Sequence, residues 1–297
     1  MKIGITDSGV GGLSVCAEVE AGLCRRPVRE DVEILYLNAA LQDDYSYNSM
    51  ATRQEKLEAF DAFLGNVAER YQPDLLYIAC NTLSVLFQDP YFDHHRGLPA
   101  LGIVASGTQE ILLALKADQD AAVIVFATPT TIEEGVYRRN LLEQGIDNYR
   151  IVQQACPGLP DAISNDFTGG LSGALLAEFV PAALAQFPVL PGSVAAFLGC
   201  THYGYQAAQF EKHLRKQVHK VKILNPNSVA ADTILEQVPS LPGKGSVKIR
   251  FVTPYAVPEK PLRSLSHYLG DRAPATVLAL QHFNHDPSLY QTGAEEY

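Results

Sequence analysis

Across 297 residues no run of lysines and arginines interleaves with aromatic side chains, and Lys plus Arg (23) fall short of Asp plus Glu (33). The net charge of −10 repels a phosphate backbone, so nucleic acid is excluded as a partner. No stretch reaches the ~20 consecutive apolar residues of a membrane span, and the opening MKIGITDSGVGG turns polar and glycine-rich where a signal peptide stays apolar. A cytoplasmic protein with no membrane partner is the expectation. The five cysteines (Cys16, Cys24, Cys80, Cys156, Cys200) are odd in number and contain no CxxC pair. Neither a disulfide framework nor a zinc knuckle suits that set, which leaves free thiols. His94 and His95 stand side by side in FDHHRG with no carboxylate or cysteine cluster at ligand spacing, so no metal is assigned.

What is present is alternation. Apolar runs ending in small or polar residues recur as KIGIT, EILYLN, LLYIAC, ALGIVA, AAVIVFA, RIVQQAC, VAAFLGC and KVKILN, with helical patterns between them. Leu57, Phe60, Leu64, Val67 and Tyr71 fall on one helix face, and Leu13, Cys16, Val19 and Leu23 do so more briefly. Continuous apolar strands, each followed by a helix, predict an α/β fold of doubly wound, mainly parallel sheets. Ligands then bind at the carboxyl ends of the strands.

The spacing from Asp7 to Cys80 nearly repeats from Thr128 to Cys200. In each half a strand runs into a small polar residue. About two βα units later another strand runs into Cys80-Asn81-Thr82 or Cys200-Thr201-His202. Coincidence competes with duplication here, because βα units have similar lengths anyway. Duplication predicts two pseudo-symmetric lobes, residues 1–102 with 228–297 and residues 103–227, with the active site in the cleft between them. VPSLPGKG is a loop that leads to a last strand, VKIRFVT, and a helix through Tyr268-Leu269-Gly270; beyond Asp271 no pattern is clear.

The loop from Asp7 to Gly12 follows a strand and opens a helix, so its amides can hold a carboxylate or phosphate. The dinucleotide pattern GxGxxG fails, since residue 14 is serine. Asp7 suits an ammonium group and the Ser8 hydroxyl suits either group of an amino acid, although both also serve as plain helix caps. A lone cysteine at a buried strand end is ordinarily inert packing. Two at matching positions are a candidate acid/base pair, one thiolate removing a proton from one face of a carbon and a thiol returning it to the other. Cys156 has no counterpart thiol and reads as structural, as do Cys16 and Cys24. His202 is placed to polarise Cys200. A cysteine hydrolase built on that pair is disfavoured, since residues i and i+2 of an extended strand face opposite ways.

DSGVGGLSV (Asp7 to Val15), ACNTLS (Ala79 to Ser84), ATPTTIEEGVY (Ala127 to Tyr137), ACPGL (Ala155 to Leu159) and LGCTHYG (Leu198 to Gly204) resemble, in order and spacing, the signatures of the glutamate racemase family, within the aspartate/glutamate racemase superfamily. FVT and YLG extend the similarity to Gly270. The resemblance implies two α/β lobes, an isomerase that needs no cofactor, a small amino-acid substrate, a homodimer, and D-glutamate as a peptidoglycan precursor. It also implies that Cys80 and Cys200 are the acid/base pair, helped by Asp7 and His202. Asp7, Ser8, Tyr45, Ser46, Asn81, Thr82, Thr128, Thr131, Thr201 and His202 would contact substrate.

Three departures bear on the substrate. The family's Pro-Tyr-Gly element becomes Asp44-Tyr45-Ser46, and Asp43 and Asp44 add negative charge where an acidic side chain would dock. A glutamate that the family places after ACPGL is Ser164, leaving Asp166 as the nearest carboxylate. The family's Ile-Asp-Ser is Leu224-Asn225-Pro226-Asn227-Ser228, without the Asp. Glutamate is the expected substrate. The alternatives are another amino acid handled by the same chemistry and an inactive amino-acid-binding homologue.

Overall fold

The computed structural model describes residues 1–26, 28–43, 45–95, 97–239 and 243–290. The strands among them are β1 (Lys2–Asp7), β2 (Val32–Asn38), β3 (Leu75–Ile78), β4 (Ala100–Gly102), β5 (Ala122–Ala127), β6 (Ile151–Ala155), β7 (Ser193–Gly199), β8 (Lys220–Leu224), β9 (Val247–Thr253) and β10 (Asn284–His285). They form a six-stranded sheet, β10-β9-β2-β1-β3-β4, and a four-stranded sheet, β6-β5-β7-β8. Every pairing is parallel. The order β2-β1-β3-β4 in the first sheet recurs as β6-β5-β7-β8 in the second. β1 therefore corresponds to β5 and β3 to β7, as duplication requires.

Parallel strands joined by helices must be covered on both faces, and the alternation along each strand does this. Ile3, Ile5, Ile34, Tyr36, Leu75 and Tyr77 pack on the side of helix Leu13–Cys24. Their neighbours Leu35, Leu37, Leu76 and Ile78 pack on the side of helix Arg53–Asn66. The predicted helix face is buried at Leu57, Phe60, Leu64, Val67 and Tyr71. That helix opens at Thr52, whose Oγ1 accepts from the Glu55 amide at 3.1 Å. It closes with a wide turn, Val67–Tyr71, and a left-handed residue at Gln72.

One predicted strand is too long. ALGIVA is strand only through Gly102, and Ile103–Ala117 is helix, its buried Ile103, Val104, Ile111, Ala114 and Leu115 facing inward. A short apolar run does not distinguish a buried strand from the buried start of a helix. The loop predicted at VPSLPGKG includes Ser240, Leu241 and Pro242, which lie outside the described residues. No described helix is long and apolar enough to cross a membrane.

The segment after Asp271 is ordered by a contact no local pattern announces. Helix Pro274–Gln281 is followed by β10 and a turn, Pro287–Tyr290. Its amino end is capped from another helix: the buried Glu20 carboxylate accepts from the amides of Ala275 (2.9 Å) and Thr276 (2.8 Å) and from the Thr276 hydroxyl (2.7 Å). Replacing Glu20 with Ala leaves those donors without an acceptor and lowers stability by about 2–3 kcal/mol, read as a reduced denaturant midpoint. Glu20→Gln, which keeps one acceptor oxygen, loses less; equal stability of Glu20→Ala and the native chain would refute the capping role.

Candidate active site

The carboxyl ends of β1, β3, β5 and β7 meet at a cleft of about 510 Å³, a size suited to a small metabolite. β1 ends in Asp7 and feeds the glycine-rich turn. Cys80 lies just past β3 and caps helix Asn81–Leu86, its Sγ accepting from the Leu83 amide at 3.5 Å. Thr128 follows β5, and Cys200 follows β7. Asp7, Ser8, Ser46, Cys80, Asn81, Thr82, Thr128, Cys200, Thr201 and His202 all line the cleft. Two sequence candidates stand apart. Thr131 is fully buried behind the wall, its hydroxyl bonded to those of Thr128 (3.0 Å) and Thr82 (3.2 Å). Tyr45 turns its hydroxyl to donate to the Glu55 carboxylate. Asp43 lines the cleft, whereas Asp44 lies outside the described residues.

Burial dominates the electrostatics. It pushes the Cys80 thiol up to about 12, and the charge of Asp7 adds to this, while hydrogen bonds from Ser8 and Leu83 pull the other way. Ser8 Oγ lies 3.0 Å from Cys80 Sγ. Cys200 is raised well above an ordinary thiol, again chiefly by burial. His202 is driven down to about 4 by burial, so at neutral pH its ring is uncharged. Asp7 is raised to about 6 by burial, against hydrogen bonds from the Thr201 hydroxyl (2.8 Å) and the amides of Gly12 and Gly9.

The expectation that Cys200 and His202 face opposite ways is overturned. β7 stops at Gly199, and the chain turns so that the Tyr203 amide donates to the Cys200 carbonyl at 3.0 Å. The turn brings His202 Nδ1 within 3.8 Å of Cys200 Sγ. The same turn presses on the loop after β1. A Cβ on Gly11 would lie 2.3 Å from His202 Nδ1 and 2.5 Å from Thr201 Oγ1, so glycine there serves the approach of two loops.

Several site features escaped the sequence. Asp161 lines the cleft, and its carboxyl is raised by burial and then by the charge of Asp43. Asp166, nearer in sequence to the family's glutamate position, is instead a turn cap that accepts from the amides of Thr168 and Leu171, both at 2.9 Å. Asn227 is buried and donates to the Thr201 carbonyl and the Ser14 hydroxyl, both at 2.8 Å, bracing the turn after β7 near where the resemblance expects an Asp. Asn81 accepts from the Tyr137 hydroxyl, while its buried Nδ2 has no protein partner. Cys156, read from the sequence as structural, is a third thiol of the cleft lining; it is buried, its Sγ 3.6 Å from the Gln154 carbonyl. Among the described residues no lysine or arginine lines the cleft, whereas Asp7, Asp43 and Asp161 do. Away from it, His94 and His95 do have a carboxylate neighbour, Asp61, which lies far from them in sequence.

The family model of the Asp/Glu/Hydantoin racemases matches residues 3–234. The glutamate racemase of Aquifex pyrophilus is 31% identical over 215 residues, 72% of this chain and 76% of that protein. Among solved structures, a glutamate racemase isoform from Bacillus anthracis aligns with a TM-score of 0.68 at 23% identity, covering 90% of this chain and 93% of that one. The glutamate racemase of Francisella tularensis, solved in complex with D-glutamate, aligns with a TM-score of 0.67 at 22% identity over the same shares. Two parallel sheets in repeated strand order, a matched family model and a relative of this identity and coverage lead to one conclusion: the chain belongs to the glutamate racemase family, within the Asp/Glu/hydantoin racemases.

Proposed function

We propose that this chain interconverts L- and D-glutamate by passing the Cα proton between two thiols. The observation that carries the reading is that Cys80 and Cys200, at topologically equivalent strand ends, open on one cleft. The Cys80 thiolate takes the Cα proton of the D enantiomer, and the electron pair of that bond is delocalised into the α-carboxylate. The Cys200 thiol then donates its proton to the opposite face, leaving Cys200 as thiolate and the product as the L enantiomer. The reverse sequence converts L to D, and no cofactor takes part.

Asp7 holds the substrate ammonium, with the Ser8 hydroxyl beside it. The donors of Asn81, Thr82 and Thr201 receive the carboxylate in a pocket that excludes water, and Thr128 and Thr131 hold the Thr82 hydroxyl in place. Neutral His202 shares a hydrogen bond with Cys200 on one wall, as Ser8 does with Cys80 on the other. Thiols pushed up by burial are strong bases once ionised, and the substrate ammonium favours the thiolate that must form beside it. The same reading divides the chain into lobes 1–102 with 228–297 and 103–227, supported by sheet membership: β1–β4 with β9 and β10, against β5–β8. A cytoplasmic homodimer that supplies D-glutamate for peptidoglycan completes the proposal and rests on the family resemblance.

A second reading, the same chemistry on a different amino acid, is favoured by one observation: the cleft carries three carboxylates and, among its described lining residues, no lysine or arginine. Glutamate keeps precedence through the named relatives and the array of neutral donors. Racemisation of glutamate, aspartate and neutral or basic amino acids at one concentration separates the readings. Binding of an amino acid without turnover of either enantiomer would identify an inactive homologue instead.

Cys80→Ala and Cys200→Ala are each expected to lower racemisation by about 10³-fold or more with unchanged circular dichroism. Native enzyme in deuterated buffer should place label at Cα. Full activity in either variant would sink the two-thiol mechanism. Since Asp7 is raised to about 6 and must be ionised to hold an ammonium, kcat/KM should fall about tenfold per pH unit below that value. His202, at about 4, adds no limb between pH 5 and 8. Asp7→Asn should lose both the limb and most of the rate; a limb near 6 that survives the substitution belongs to another group. Asp161→Asn should lower KM for glutamate about fivefold, the effect of removing ~1 kcal/mol of repulsion at ~4 Å in water-like surroundings. An unchanged KM would place the distal carboxylate away from Asp161.

A further inference from the structure

On the flank of the first sheet, away from the cleft, three metal-ligating side chains converge from two elements. Asp61 lies on helix Arg53–Asn66, and His94 and His95 end the tight helical turn Pro90–His95. Nε2 of His94 stands 2.6 Å, and Nε2 of His95 2.7 Å, from the same atom, Asp61 Oδ1. All three ligating atoms lie within 4.8 Å of one another. The imidazole centroids are 4.2 Å apart with ring planes at 41°.

We propose that Asp61, His94 and His95 bind a divalent transition-metal ion of the zinc type. Two imidazole nitrogens and a carboxylate oxygen are a donor set such ions favour, and three protein ligands leave a position for water. Tetrahedral bonds of ~2.0–2.1 Å set donor atoms about 3.3 Å apart, so the cluster needs only a small opening around the ion. Both rings aim a nitrogen at a single oxygen of Asp61, so the three donor atoms already converge.

The scaffold is stiff where the ligands attach. Phe60, adjacent to Asp61, packs edge-on against Phe92 at 5.5 Å, and Phe92 also touches Phe87 (5.7 Å) and the His95 ring (6.4 Å). His95 is largely covered, with its side chain 11% exposed, while His94 at 55% is open to solvent. One imidazole is therefore pre-positioned and the other is reachable by an ion arriving from water. Bound there, the ion clamps Pro90–His95 onto helix Arg53–Asn66.

Calorimetric titration with Zn²⁺ alone tests the site in the full-length chain, in Asp61→Asn and in the double variant His94→Ala/His95→Ala. Exposed Cys24 and the cleft thiols also attract zinc, so the visible and near-ultraviolet spectrum of the Co²⁺-loaded protein is recorded alongside. The expected result is one site that both variants weaken at least tenfold, a rise in thermal midpoint with Zn²⁺ that both variants lose, and a Co²⁺ spectrum without a thiolate band at that site. Glutamate racemisation by both variants should match the native rate, which separates this site from the cleft. Equal Zn²⁺ affinity in all three proteins, or a thiolate band that Asp61→Asn removes together with the site, would overturn the proposal.

Discussion

A carboxylate with almost no access to water sits at the end of an interior strand of one sheet and is held by a hydroxyl that follows an interior strand of the other. Asp7 and Thr201 make that contact at 2.8 Å. Burying Asp7 disfavours its ionised form, and three donors, Thr201 with the amides of Gly9 and Gly12, offset part of the cost. The contact joins the end of β1 to the turn after β7, linking the two walls of the cleft. Gly11 allows the approach, and Asn227 fixes the far turn from behind. Farther along the seam, Lys56 donates to the Thr130 hydroxyl at 2.8 Å, and Arg53 pairs with Glu134 at 2.7 Å.

The low-dielectric environment that raises Asp7 raises both thiols too, and it cuts both ways. It makes a thiolate scarce in the resting protein and more basic once formed, and it strengthens the fixed dipoles around it. The neutral state of His202 belongs to the same balance. A charged imidazolium beside Cys200 would favour a resting thiolate that was a weaker base.

Strand ends were legible because they are local events: a buried apolar run stops, and the next polar residue faces the carboxyl edge of a parallel sheet. That logic locates Asp7, Cys80, Thr128 and Cys200 from the chain alone, and the near-equal spacing of the two pairs foreshadows the repeated strand order. It says nothing of side chains recruited from distant segments. Asp161, Asn227 and Asp61 reach their partners through tertiary packing, and Glu20 caps a helix whose first residues lie some 255 positions away. Cys200 and His202 depart from strand geometry for a different reason. A side-chain periodicity of two holds only while the strand lasts, and β7 ends one residue before the cysteine.

Repetition of the strand order places the two thiols on matching supports, yet their neighbours are not alike: a hydroxyl stands by Cys80 and an imidazole by Cys200. Mirror-image amino acids have equal free energies in achiral water, so the equilibrium between them stands at unity whatever the catalyst. It follows that kcat/KM is the same in both directions for any racemase, however dissimilar its walls. The unlike neighbours can therefore change only how that ratio is split. The enantiomer held more firmly turns over more slowly in proportion, and net flux runs toward whichever enantiomer is being consumed elsewhere.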